Sequence, residues 1–254
     1  MIESDIPAVD WQGQAIDCAH CKHQDCLTSN TCAQGSACVH DRYAKRIDRF
    51  FGNHPELASN YINYPYFEVR AVAAKYLDIF KLNRLLSDSD ETVRASVALR
   101  LPPKLLTKLL HDPDREVRVR VAMRLEIADL PLMLQDTDYY VRVLVARRLA
   151  IDKLFHLVRD PDASVRREVA ARISADWLGT LANDNEDEVR LVAISRMPAH
   201  QLAPFRFDRD WRIRLDIAQR LPIEHLDGLL TDEDAMVVEA AQSRLLIKGV
   251  ANHG

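Results

Sequence analysis

The pair Val-Arg returns every 24 residues, at Val69-Arg70, Val93-Arg94, Val117-Arg118, Val141-Arg142, Val165-Arg166 and Val189-Arg190. It continues as Ile213-Arg214 and decays to Val237-Val238. With the valine numbered zero, position +4 is apolar in all eight copies, from Ala73 to Ala241, and +8 is Leu, Ile or Met, from Leu77 to Leu245. Position +13 is Leu from Leu82 to Leu226 and Val250 in the last copy. A unit this short cannot bury its apolar face alone, so successive copies must stack on one another. The chain is therefore expected to be an all-α solenoid of about eight repeats, curved into a superhelix.

The spacing sets the local structure. Positions 0, +4, +5 and +8 fall on one face of a helix of about three turns. Small residues at +5, such as Ala98 and Ala122, allow close helix approach. Pro102, Pro198 and Pro222 at +9 stop the helix just after +8. A short segment with apolar residues at +13 and +16 follows; its length suits a single α-turn or a 3₁₀ stretch. Acidic turns such as Asp112-Pro113-Asp114 and Asp136-Thr137-Asp138 close each repeat and can cap the next helix.

Two charged columns run through the repeats. Asp at +19 (Asp88, Asp112, Asp136, Asp160, Asp184, Asp208, Asp232) precedes the next +1 arginine by six residues, which predicts an Asp–Arg ladder between repeats with half-buried arginines. HEAT-type solenoids use a similar pairing. The second column is Arg at +7: Arg100, Arg124, Arg148, Arg172, Arg196, Arg220 and Arg244. At helix spacing, their fields would add along one groove and could bind an acidic protein or a nucleic-acid backbone. Alternatively these arginines bridge to neighbouring carboxylates and cover the core with their stems. The rest of the chain after residue 64 is nearly neutral, with 29 basic and 30 acidic residues, which counts against a general polyanion binder.

All five cysteines lie in one short segment, Cys18-x2-Cys21-x4-Cys26-x5-Cys32-x5-Cys38. The N-terminal stretch has no apolar core of a secretory signal and no run of 18 apolar residues exists, so the chain reads as cytoplasmic, without a membrane span. An odd set of crowded thiols in a reducing compartment indicates metal ligation rather than disulfides. Soft thiolates select an iron–sulfur cluster or zinc, and the spacing matches neither a zinc ribbon nor a ferredoxin. His20, His23 and His40 are more simply loop histidines than ligands. Beyond Cys38, Tyr43, Ile47, Phe50 and Phe51 share one helix face that would dock the cysteine segment onto the first repeat, with Gly52 as its stop. The aromatic run Tyr61 to Phe67 would cap the open end of the array. The organisation expected is a cysteine-rich domain at 1–40, a linking helix and aromatic cap at 41–66, and repeats at 67–254.

The Cys-x2-Cys-x4-Cys spacing, the stretch CVHDRYAKRIDRFF and the V-R-x-x-V-A-x-R-L repeats together resemble the leucine-rich repeat variant proteins. The resemblance covers essentially the whole chain. It implies a right-handed superhelix of alternating α- and 3₁₀-helices and an N-terminal domain holding a [4Fe–4S] cluster, in a family associated with nitrogen-fixing bacteria and without an established activity. Four ligands suffice for a cubane. By the resemblance these are Cys18, Cys21, Cys26 and Cys38, with Cys32 the spare or alternative ligand.

Two functions follow as expectations. One is a redox-linked iron–sulfur protein, transferring or sensing an electron and holding a protein partner along the solenoid. The other is nucleic-acid binding through the +7 arginines beside a structural cluster. No G-x-S-x-G, H-E-x-x-H or phosphate-binding glycine loop is present, and an enzyme is not expected.

Overall fold

A computed structural model describes residues 6–251, with side chains to Leu246. The described residues are helical apart from loops and two isolated antiparallel bridges, Val9 with Ala15 and Ala33 with Ala37. The helices are α1 (Gln24–Thr28), α2 (Ala44–Asn53), α3 (Phe67–Tyr76), α4 (Ile79–Leu82), α5 (Glu91–Arg100), α6 (Arg115–Arg124), α7 (Tyr139–Arg148), α8 (Ala163–Ala170), α9 (Leu178–Leu181), α10 (Asp187–Arg196), α11 (Trp211–Arg220) and α12 (Ala235–Ala251). Two compact units are present, Met1–Asp129 and Leu130–Gly254. In the first, α2, α3, α5 and α6 pack in succession; in the second, α7, α8, α10, α11 and α12 do. The cysteine segment shares the first unit with the earliest repeats.

Each repeat gives a ten-residue helix and a 3₁₀ or mixed segment, except where α8 stops early and α12 runs on. The helices end at +7, one residue before the position expected. Leu101, Leu125, Leu149 and Leu221 at +8 are extended, with ψ from 141° to 148°. A proline at +9 disfavours helical geometry at +8, but Leu125 and Leu149 break without one, so burial of the leucine fixes the break there. The second segment is 3₁₀ over Pro103–Leu109, Ile127–Met133 and Ile151–Leu157. Three residues per turn place +13 and +16 above one another, and pairs such as Leu106 with Leu109 and Leu154 with Leu157 are buried. Full burial of one such side chain contributes about 1.5–3 kcal/mol.

The acidic turn divides its labour. Its second Asp caps the next helix, as Asp90 Oδ1 does for the Thr92 amide at 2.9 Å and Asp162 Oδ1 for Ser164 at 2.8 Å. Its first Asp pairs with arginine in a register different from the one the sequence suggested. Arg94 donates from Nε and Nη2 to both oxygens of Asp112, 18 residues later, at 2.8 and 2.9 Å. The Asp six residues before it contributes its carbonyl instead: Arg94 Nη1 donates to the Asp88 oxygen at 2.8 Å and to that of Ser89 at 3.3 Å. Each arginine thus joins the turn before its helix to the turn after it. The same fork recurs at Arg70, Arg142, Arg166, Arg190 and Arg214.

Candidate metal centre

The segment from Ile16 to Cys38 has little regular structure, and its thiols are brought together by turns. Asp17 Oδ1 accepts from the amides of Ala19 and His20, at 2.9 and 3.2 Å, closing the turn that carries Cys18 and Cys21. The His20 side chain, bonded to Asp17 at 2.7 Å, then holds that carboxyl below its usual range. Cys26 lies in α1, and its carbonyl accepts from the amides of Thr31 and Cys32, at 3.0 and 3.1 Å. That doubling back returns Cys32 to the first three cysteines. The Ala33–Ala37 bridge closes a tight loop in which Gly35 has φ 76°, a conformation that favours glycine, and delivers Cys38. The Cys38 amide donates to the Arg46 carbonyl at 3.0 Å, fixing the last cysteine on α2.

All five thiols are free of disulfides. Cys32 and Cys38 are buried, and Cys18, Cys21 and Cys26 are half-buried. Burial pushes Cys32 up to about 11 and Cys38 up to about 12. Cys26 is also raised, by burial and then by the nearby Asp25 and Glu56 carboxylates. Cys18, Cys21, Cys26, Cys32 and Cys38 all lie in α1 and the turns between Asp17 and α2. Among the described residues, no three His, Cys, Asp or Glu side chains are drawn together tightly enough to hold a single metal ion.

The inner wall is aromatic. Phe50, Phe51 and Tyr61 are fully buried, and Tyr61 packs edge-on to both phenylalanines. Phe51 in turn packs on Tyr76 of the first repeat helix, α3. His23 is buried and bonded to Tyr61 Oη, while His40 bonds Tyr64 Oη at 2.8 Å. Burial, with Lys22 nearby, holds both imidazoles below the ordinary histidine range. Of the three loop histidines expected, only His20 is exposed. Helix α2 runs through Gly52 to Asn53, so the glycine is not its stop; Pro55 follows two residues after its end. Ile47, Phe50 and Phe51 form its buried face, with Tyr43 as the residue before the helix. A signal missed in the sequence is Arg46. It is 1% exposed, bonds the buried Asp41 at 3.1 Å, and donates to the carbonyls of Ile6 and Pro7 at 2.7 and 3.3 Å. An ion pair this deep ties the N-terminal stretch across the site.

The +7 arginines have a different occupation. Arg196 Nη2 donates to the Ile173 carbonyl at 2.8 Å and its Nη1 to that of Ala170; Arg220 donates to Ile194 at 3.1 Å and to Met197. Arg100 reaches Leu77 at 3.1 Å, Arg172 reaches Leu149 at 2.9 Å, Arg124 reaches Ala98, and Arg244 reaches Ala218 at 3.0 Å. Arg148 is partnered as well. These acceptors are the carbonyls left over at the C-terminal end of the preceding helix, where the dipole is negative. Six of the seven guanidinium groups thus bond the end of the preceding helix, and Arg220 also pairs with the Asp216 carboxylate at 2.6 Å.

Comparison with known proteins agrees with this geometry. Residues 8–60 match a family model described as the LRV protein FeS4 cluster, and residues 91–114 match the leucine rich repeat variant model. An uncharacterized 27.7 kDa protein in the nifB 3′ region of Rhodobacter capsulatus is 51% identical over 94 residues, 37% of this chain; the match spans 38% of that protein's length. A solved structure described as a leucine-rich repeat variant with a novel repetitive protein structural motif is 40% identical. It covers 90% of this chain and 98% of its own, with a TM-score of 0.84.

Proposed function

Because the chain belongs to the leucine-rich repeat variant family, we propose that it is a redox protein in which a thiolate-held [4Fe–4S] cluster gives, takes or senses one electron, with the helical repeats as scaffold for a protein partner. The single observation that carries this reading is the set of five disulfide-free thiols within the residues that match the FeS4-cluster family model. The donor set is soft and suits iron–sulfur ligation. Cys18, Cys21, Cys26, Cys32 and Cys38 supply one thiolate more than a cubane needs. When bound, the cluster supplies reversible one-electron chemistry.

The chain's own residues shape that chemistry. Tyr61, Phe50 and His23 exclude water from the inner side. Burial of Cys38 and Cys32 lowers the local dielectric, which bears on any potential the site adopts. Arg46 and Asp41 hold residues 6 and 7 in place beside the cysteine loops. Nucleic-acid binding through the +7 row is not favoured, since those guanidinium groups are engaged on backbone carbonyls.

The test is anaerobic purification with iron and acid-labile sulfide analysis, followed by dithionite reduction watched by absorption and electron paramagnetic resonance. Iron and sulfide in equal amounts, with a chromophore that bleaches and returns, is the expected result. A colourless protein holding zinc, or a cluster that cannot be reduced reversibly, would refute the reading.

A further inference from the structure

Residues 1–40 carry five carboxylates and a single lysine or arginine, Lys22. It directly follows Cys21, so their α-carbons are about 3.8 Å apart. The residue is exposed, yet its ammonium turns inward and lies 4.5 Å from the centre of the Tyr61 ring. That ring is fully buried, bonds His23 through its hydroxyl and meets Phe50 and Phe51 edge-on. Its position is therefore fixed by packing. The negative face of an aromatic ring attracts a cation, so the lysine charge has one preferred place, against the aromatic wall.

The neighbouring bases contribute less. His20 is exposed and bonded to Asp17 at 2.7 Å, and Arg46 is bonded to the buried Asp41. Burial, and then the Lys22 charge itself, weighs against protonating His23 and His40. A thiolate-held site becomes one charge more negative when it accepts an electron. The electron enters from the reductant; no bond forms or breaks and no proton is taken up. A cation fixed beside the site favours that reduced state.

Resting on the redox reading above, we propose that the Lys22 ammonium, held on the face of the Tyr61 ring, raises the reduction potential of the cluster that the cysteines carry. The charge acts through space and not through a bond to any ligand. At an effective dielectric constant of about 20, one unit charge within about 12 Å shifts the reduced-to-oxidised ratio about tenfold. Solvent reaches Lys22, so added salt should weaken the effect.

The midpoint potentials of the cluster-loaded parent and variants are measured anaerobically, by titration with dithionite and mediator dyes read by absorption and electron paramagnetic resonance. Lys22→Gln should have a tenfold lower reduced-to-oxidised ratio at the parent's midpoint, a fall of about 59 mV for one electron at low salt. The difference should shrink at high salt. Lys22→Arg keeps a charge that stacks on aromatic faces and should stay near the parent. Lys104→Gln, exposed on the segment after α5, should not move the potential. As a readout that needs no cluster, nuclear magnetic resonance of the cluster-free chain should show the Lys22 ε-methylene protons shifted upfield by the Tyr61 ring current, assigned by their loss in Lys22→Gln. A Lys22→Gln potential equal to the parent's, an equal fall in Lys22→Arg, or unshifted ε-methylene protons would overturn the role of Lys22 while leaving the redox reading intact. A parent that cannot be reduced reversibly would instead remove the redox reading, and the role of Lys22 with it.

Discussion

At the scale of single residues, the strongest constraint is the fork between a +1 arginine and the aspartate 18 residues on. In Arg94–Asp112 the side chains are 10% and 3% exposed. Removing one partner leaves the other charge buried without compensation. Asp112→Ala should therefore cost about 3–5 kcal/mol in urea unfolding, and the double variant Arg94→Met/Asp112→Leu should recover much of it. Purely additive losses in that cycle would show that the pair is not coupled. The same carboxylates give an acid limb to stability. Burial pushes Asp88, Asp184 and Asp208 up, but their arginine partners and backbone amides outweigh it and leave each below the ordinary value; the Arg214 hydrogen bond does the same for Asp232. A depressed folded-state pKa gives stability that is complete above the unfolded value near 3.9 and lost as pH falls below it. Thermal stability should therefore drop steeply on acidification below about pH 4, whereas Asp184→Asn should be less stable at neutral pH with a flatter acid limb.

At the scale of elements, neighbouring turns and helices finish the repeat helices. The turn aspartate caps the N-termini of α5, α6, α7, α8 and α11, and +7 arginines such as Arg196 and Arg220 bond the C-terminal carbonyls of the helix before. Losing one N-cap, as in Asp162→Ala, should cost about 1 kcal/mol. Arg196→Ala should cost about 1–2 kcal/mol, since it strips a charged donor from the carbonyls of Ala170 and Ile173. Lysine at 196 should recover only part of this, because one ammonium cannot span two carbonyls as the fork does. If Arg196→Ala is neutral in thermal unfolding, the cap contributes nothing. The period of 24 made these helices and their breaks legible in advance. It did not reveal what the arginines do. Their spacing within the sequence fits a surface strip as well as a cap, and only the packing of successive helices shows which atoms lie within reach.

At the scale of the whole molecule, regular backbone hydrogen bonding is concentrated in the repeats, while residues 6–40 hold one short helix and two isolated bridges. The cysteine segment depends on side chains and, when loaded, on its metal. Removing the cluster by oxidation or chelation should make residues 6–40 sensitive to protease while the far-ultraviolet circular dichroism of the helices stays nearly unchanged. Collapse of the helical signal on cluster loss would contradict this. No helix among the described residues is long and apolar enough to cross a membrane.

The amino-acid order alone determined the repeat, the alternation of an α-helix with a shorter turn of helix, the cysteine group and the family, because each rests on residue type at fixed spacing. Tertiary structure decided the rest. It turned the +7 arginines onto carbonyls, and it paired each +1 arginine with the aspartate after its helix. The physical reason is common to both. Polar groups are satisfied by whichever partner lies nearest in space when water is excluded, and for loops and stacked helices that nearness is set by packing rather than by position along the chain.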